Sequence, residues 1–276
     1  MTTARIAFIG GGNMAASLIA GLIADGQAPD SLQVADPSPD RRESLASRFG
    51  VRVFVENADA IAGAETVVIC VKPQLAAAVC HDIAGPVKAG RPLIISVMAG
   101  VPEQAMQRWF GAALPVVRAM PNTPAMVQSG AIGLHASAAV DADGRNRAET
   151  ILRAVGLIRW VTDEAQIDAV TAISGSGPAY FFLFMEAMEA AGIDLGLDAQ
   201  TARLLTIQTA LGAARMAMES DAPPSRLREQ VTSPGGTTER ALAVFNGANL
   251  HDLVARAATA ARDRAAELSH TLSEQS

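Results

Sequence analysis

Near its start the chain runs from an apolar segment through a glycine cluster into a second apolar segment: Ile6-Ala-Phe-Ile-Gly10-Gly-Gly12-Asn-Met-Ala15-Ala-Ser-Leu. This order predicts a buried strand, a turn of the form Gly-x-Gly-x-x-Ala, and a helix. Gly10 permits the tight turn, Gly12 clears a side chain from the line of approach to the backbone, and Ala15 lets helix and strand pack closely. The helix start presents free N–H groups and the positive end of the helix dipole, so the turn suits the pyrophosphate of a dinucleotide. A purely structural turn uses the same glycines. The strand before and the helix after favour binding.

The rest of the first half repeats that alternation. Residues 5–9, 32–35, 51–55, 66–71, 93–97 and 116–119 read as strands, with helical segments such as 13–25 and 41–49 between them. Several strands are apolar on successive residues, as expected for a parallel sheet covered on both faces. Beyond residue 163 the pattern becomes helical, with segments at 167–173, 179–191, 199–220, 225–232, 237–245 and 250–272. The predicted fold class is therefore α/β. An N-terminal Rossmann domain with a doubly wound, mainly parallel sheet (1–163) precedes an all-α C-terminal domain (164–276). Apolar residues of 199–220 (Leu204, Leu205, Ile207, Leu211, Met216, Met218) cover more than one face. Such a helix is either the centre of a bundle or shared with a second subunit.

Composition excludes several classes. The formal charge is −6, and no run of Lys or Arg marks a grip on nucleic acid. Two cysteines, Cys70 and Cys80, make no disulfide framework and read as thiols of a reducing compartment. Residues 1–5 hold no signal-peptide core, and no apolar stretch reaches the ~18 residues of a membrane span. The expected location is the cytoplasm. The four histidines (His81, His135, His251, His270) lack metal-ligand spacing, so no metal is expected.

Asp36 follows Gly12 by 24 residues (36 − 12), at the end of the second predicted strand. A carboxylate there accepts from ribose hydroxyls and favours NAD(H). Ser38, Arg41 and Arg42 follow at once and are equally able to hold a 2′-phosphate. Asp36 can also simply cap a turn with Pro37. Lys72, just past a strand end, either meets a ligand or lies on the surface.

Five further stretches run in order along the chain: Cys70-Val-Lys-Pro73-Gln, Ser96-Val-Met-Ala-Gly100-Val, Arg118-Ala-Met-Pro-Asn122-Thr-Pro-Ala125, Ile173-Ser-Gly-Ser-Gly-Pro-Ala-Tyr180 and Val231-Thr-Ser-Pro-Gly-Gly-Thr-Thr238. With them the chain resembles the pyrroline-5-carboxylate reductases over essentially its whole length. The resemblance implies hydride transfer from a nicotinamide dinucleotide, usually NADPH, to (S)-1-pyrroline-5-carboxylate, giving L-proline in the last step of proline biosynthesis. It also implies a homodimer interlocked through the helical domain, in some members assembled further to a decamer. By position, Ile9, Gly10, Gly11, Gly12, Asn13 and Met14 would hold the pyrophosphate. Ser38, Asn57, Cys70, Val71, Lys72, Pro73, Val97, Met98 and Ala99 would line the adenosine and nicotinamide parts of the groove. Ser174, Gly175, Ser176, Gly177, Ser233, Gly235, Gly236, Thr237 and Thr238 would surround the substrate, with Asp221 near it. Asp36 stands where many NADPH-using relatives carry a neutral residue, so both NADP(H) and NAD(H) remain open.

The chemistry of the loops agrees. Ser233–Thr238 precedes a predicted helix, so exposed N–H groups and a helix start could dock a carboxylate without an arginine, although an ordinary turn reads the same way. Ser174–Gly177 precedes Pro178 and could serve likewise, or only cap a helix. A cyclic imine accepts hydride best as its iminium, and the Thr238 hydroxyl, backed by Ser176 and Tyr180, is the candidate partner of the ring nitrogen. A hydroxyacid dehydrogenase or other imine reductase would be expected to carry a helix-borne lysine, and residues 167–220 contain none. A non-catalytic dinucleotide sensor would be expected to show broken substrate loops, and both are intact.

Overall fold

A computed structural model describes residues 4–274 of the chain. Residues 1–3, within the stretch read above for a signal peptide, lie outside the described residues. Strand β1 (Ile6–Ile9) leads through the glycine turn into α1 (Asn13–Ala24), and β2 (Leu32–Ala35) into α2 (Pro39–Phe49). Then come β3 (Arg52–Phe54), α3 (Asn57–Ile61), β4 (Thr66–Ile69), α4 (Ala76–Gly90), β5 (Leu93–Ser96), α5 (Glu103–Phe110) and β6 (Val116–Met120). Strand β7 (Gly130–Ala136), helix α6 (Ala142–Arg153) and strand β8 (Gly156–Trp160) complete a single eight-stranded sheet, ordered β3-β2-β1-β4-β5-β6-β7-β8.

Strands β1, β2, β4 and β5 are buried at every residue, which is why they read as continuous apolar runs. Successive side chains leave a strand on opposite faces. Ile6 and Phe8 therefore enter one core with Leu18, Leu22 and Val34, while Ala7 and Ile9 enter another with Val67, Ile83 and Phe110. The sheet thus has a packed helical layer on each side, the doubly wound α/β architecture predicted from the alternation. Pairing is parallel from β3 to β6, for example Phe8 opposite Val34 and Val68. It turns antiparallel between β6 and β7, with Val117 opposite Ala136.

The local signals sit where the helices begin and end. The Ser38 side chain caps α2, Asp141 caps α6 through the Gly144 amide at 2.7 Å, and Gly50 ends α2 at a φ of 69°. Strands β7 and β8 are absent from the sequence reading. Glycines 130 and 133 interrupt β7, and the reason for Gly133 is tertiary: a Cβ there would lie 2.5 Å from Val170 Cγ1.

The second half is helical: α7 (Gln166–Val170), α8 (Gly177–Asp194), α9 (Ala199–Met218), α10 (Pro224–Gln230), α11 (Thr237–Gly247) and α12 (Leu250–Ser273). The sequence reading of 174–177 as a loop is corrected here. Thr171–Gly175 forms a π-helical turn continuing α7, with the Ser176 amide donating to Thr171 O at 2.8 Å. The chain separates into two compact units, one running to Ser176 and resuming at Ala260, the other spanning Gly177–Thr259. Within the second unit α8 and α9 approach closely, because Gly192 offers Ala202 no side chain. The rings of Phe184 and Phe245 lie 6.1 Å apart. No helix among the described residues is long and apolar enough to cross a membrane.

Candidate active site

The sheet order reverses at β1: its chain neighbour β2 lies on one side and β4 on the other. Outside the carboxyl ends of strands at such a reversal, the departing helices splay and leave a crevice. A cleft of about 860 Å³ lies there, lined by the glycine turn, the ends of β2 and β4, and one face of α2.

The glycine turn is built residue by residue. Gly10 has a φ of 93°, and a Cβ on it would come within 2.9 Å of the Cys70 carbonyl oxygen. Its amide donates to Ala35 O at 2.8 Å, tying the turn to the end of β2. Gly11 donates to Asp36 Oδ2 at 2.8 Å, and a Cβ there would meet Leu45 Cδ1 at 2.8 Å. Gly12 differs: a Cβ on it would meet nothing within 4 Å, so the space above it is open. Gly12 also caps α1 without any side-chain acceptor. The first N–H groups of α1 therefore face an open cleft, a cradle that fits a pyrophosphate.

Asp36 is 2% exposed, and its carboxylate is tied to the protein. Besides the Gly11 bond, Oδ1 accepts from the Ser38 amide at 2.9 Å, and Arg41 Nη1 lies 3.4 Å from Oδ2. The turn-capping alternative is thus realised, while the residue still borders the cleft.

Of the residues named for the dinucleotide, Ile9, Gly10, Gly11, Gly12, Asn13, Asp36, Asn57, Cys70, Val71 and Lys72 line this cleft together. The others stand behind or beside it. Met14 and Val97 pack against one core and Met98 belongs to the other, Ser38 caps α2, Pro73 opens a 3-10 turn (Pro73–Leu75), and Ala99 is exposed. Burial pushes the Cys70 thiol up to about 12, so the cleft presents a neutral thiol rather than a thiolate. The sequence reading missed Ser44, Leu45 and Arg48, which line the cleft with Arg41. Positions 41, 44, 45 and 48 share one helix face, and that spacing was the available signal.

At the end of β6, the Asn122 amide nitrogen donates to Ser174 O at 3.0 Å, and its oxygen accepts from the Ala131 amide at 2.9 Å. Arg118, almost fully buried, donates to Glu164 Oε1 at 2.6 Å. Burial raises the carboxyl pKa of Glu103 and of Asp168 in the same region.

In the second unit, Ser233 to Gly236 form a tight turn closed by the Gly236 amide on Ser233 O at 3.0 Å. Gly235 has a φ of 72° and donates to Glu239 Oε2 at 2.7 Å. Thr237 and Thr238 open α11, whose cap Gly236 provides no side-chain acceptor. Asp221 is exposed just beyond α9. Among the described residues, no group of three or more His, Cys, Asp or Glu side chains is placed to hold a metal.

Comparison with known proteins joins these parts. The family model for pyrroline-5-carboxylate reductase dimerisation matches residues 164–268. A model described as NADP oxidoreductase, coenzyme F420-dependent, matches residues 5–100. The chain is 51% identical over 274 residues to the pyrroline-5-carboxylate reductase of Pseudomonas aeruginosa, covering 99% of this chain and 100% of that one. The chain belongs to the pyrroline-5-carboxylate reductase family. The fold agrees. The structure of the Coxiella burnetii pyrroline-5-carboxylate reductase superposes with a TM-score of 0.94 at 47% identity, covering 97% of this chain and 99% of that one. The Plasmodium falciparum pyrroline carboxylate reductase, whose structure has NADP bound, superposes with a TM-score of 0.85 at 27% identity, covering 98% and 99%.

Proposed function

We propose that the chain is an NAD(P)H-dependent oxidoreductase that reduces 1-pyrroline-5-carboxylate to proline. The observation that carries this reading is full-length kinship to such reductases, in a chain whose glycine turn leaves an uncapped helix start facing an open cleft. NADP(H) is the proposed cofactor, and when bound it supplies the hydride. Gly10 to Asn13 would hold its pyrophosphate. Asn57, Lys72 and the backbone around Cys70 and Val71 would border its remaining length, with Ser38, Pro73 and Val97 to Ala99 as outer support. Arg41 and Arg48, on the cleft face of α2, supply positive charge suited to a 2′-phosphate.

The substrate groups belong to Ser174–Gly177, Asp221 and Ser233–Thr238. Backbone N–H groups of Thr237 and Thr238, at the open start of α11, would take the ring carboxylate, and the Thr238 hydroxyl would hydrogen-bond the ring nitrogen as the C=N bond is reduced. Residues 1–163 would serve the cofactor, and 164–276 the substrate and self-association. The exposed apolar side chains of α8 and α9 support a homodimer through the helical half, which a decamer could extend. Of α9, only Ala202 is buried among the described residues, so these helices make no closed bundle by themselves. The proposed location is the cytoplasm.

The test is oxidation of NADPH and NADH, followed by absorbance, with racemic pyrroline-5-carboxylate and with 2-oxoacids as separate acceptors. Turnover of the imine alone is expected. Activity only on the oxoacids, or cofactor binding without turnover, would overturn the reading. Thr238→Ala is expected to lose most of kcat, and full turnover by that variant would remove Thr238 from the mechanism.

A further inference from the structure

The Arg118–Ala125 stretch is a marked sequence motif to which the functional reading assigns no part. Its structure ties it to the π-helical turn. In a regular helix the Ser174 carbonyl would accept from the amide of residue 178, but residue 178 is proline and has no N–H. The carbonyl is left without a helical partner, and a π turn at this place lets the chain pass the break.

We propose that Asn122 is a positioning residue for the substrate: its amide takes the carbonyl that Pro178 orphans and so sets the π turn presenting residues 174–177. Asn122 is 8% exposed, and its orientation is fixed, because the Ala131 amide can only donate to the side-chain oxygen. The nitrogen is thereby aimed at Ser174 O. The Ser174 hydroxyl turns back to Val170 O at 3.1 Å, which holds the same residue from its other end. Met120 packs against the turn: a Cβ on Gly175 would lie 2.7 Å from its methyl group, the free end of a flexible side chain. Arg118, two residues further back, grips Glu164 just before α7. One strand end therefore holds both ends of the segment from Glu164 to Gly175. None of these residues borders the dinucleotide cleft, so a change at Asn122 should separate substrate from cofactor.

The inference rests on the proposal that 174–177 face the substrate, and full-length protein tests both. Steady-state KM for pyrroline-5-carboxylate and Kd for NADPH are measured for wild type, Asn122→Ala, Asn122→Asp, Pro178→Ala and the Asn122→Ala/Pro178→Ala double variant. Asn122→Asp keeps the acceptor for Ala131 but turns an oxygen on Ser174 O, and so serves should the alanine variant not fold. Either Asn122 variant is expected to raise the imine KM about 10–100-fold, the scale of a misplacement near 1 Å, with NADPH Kd within about twofold. Pro178→Ala restores an N–H at position 178, so Asn122→Ala should add little in that background, a sub-additive cycle. Additive effects, or equal losses for imine and NADPH, would overturn the inference. Wild-type turnover with an unmoved imine KM in the variants would overturn it alone, whereas a wild type inactive on the imine would overturn the functional reading and the inference with it.

Discussion

At the residue scale, the decisive groups are those whose polar atoms are already committed. Asp36 borders the cleft, yet its carboxylate accepts from the Gly11 and Ser38 amides. Asp36→Ser should therefore do two things. Removing the negative charge is expected to raise affinity for NADPH relative to NADH, measured by titration of both. Leaving two backbone donors without their acceptor should cost about 1–3 kcal/mol each where they stay buried, read as a lower Tm. Equal cofactor affinities before and after would show that Asp36 does not face the ribose. Cys80 gives a pH prediction. Burial pushes its thiol from 9.0 to about 12, so it stays protonated in the folded chain and ionises once unfolded above pH 9. Its contribution to stability is thus complete below pH 9 and lost as pH rises toward 12. Cys80→Ala should flatten the fall in the urea midpoint between pH 8 and 10, and an unchanged fall would contradict the burial argument. The glycine turn was legible in the sequence because an apolar strand precedes its Gly-x-Gly-x-x-Ala spacing and an apolar helix follows it, although the atoms that crowd Gly10 and Gly11 belong to Cys70 and Leu45, far along the chain. The role of Asn122 was not, because its partner Ser174 lies 52 residues further on.

At the element scale, glycines inside helices separate two physical cases. Gly21 of α1 is buried, and a Cβ on it would collide with the Ala154 carbonyl oxygen. Gly85 of α4 is exposed, and a Cβ there would meet nothing within 4 Å beyond its chain neighbours, of which the next is Pro86. The same substitution should act with different size. Gly21→Ala is expected to destabilise by about 1–3 kcal/mol through overpacking. Gly85→Ala should change stability by less than about 1 kcal/mol, because the gain in helix propensity is offset by the contact of the new Cβ with the proline ring. Paired thermal melts decide it, and an equal fall in Tm for both would refute the packing account. Strands β1 to β6 were readable because burial on both faces leaves long apolar runs. Strand β7 was not, since Gly133 makes room for Val170 on a helix that follows much later in the chain. The π turn escaped for a related reason: Pro178 signals a helix start by itself, and only the Asn122 bond shows how the preceding carbonyl is satisfied.

At the scale of the whole molecule, the two compact units differ in what they bury. The first has two cores, one on each face of the sheet. The second exposes Phe181, Phe182, Leu183, Leu204, Leu205 and Leu211, more apolar surface than a monomer in water usually leaves uncovered. Leu204 and Leu211 are seven residues apart on α9 and share a face. The double variant Leu204→Glu/Leu211→Glu is expected to lower the molar mass from that of a dimer to that of a monomer by light scattering, with loss of reductase activity. A dimer retained at micromolar concentration would rule out this face as the contact.

The sequence by itself determined the strands β1 to β6 in their alternation with helices, the glycine turn and the apolar excess of the helical half, because these arise from neighbours along the chain: alternation, steric freedom at glycine, a missing N–H at proline. Tertiary structure alone decided which side chains share the cleft face of α2 with the turn, why Gly133 and Gly21 must be glycine, and where the Ser174 carbonyl finds its donor. Those contacts join residues far apart in sequence, and they exist only once the sheet has brought its strand ends together.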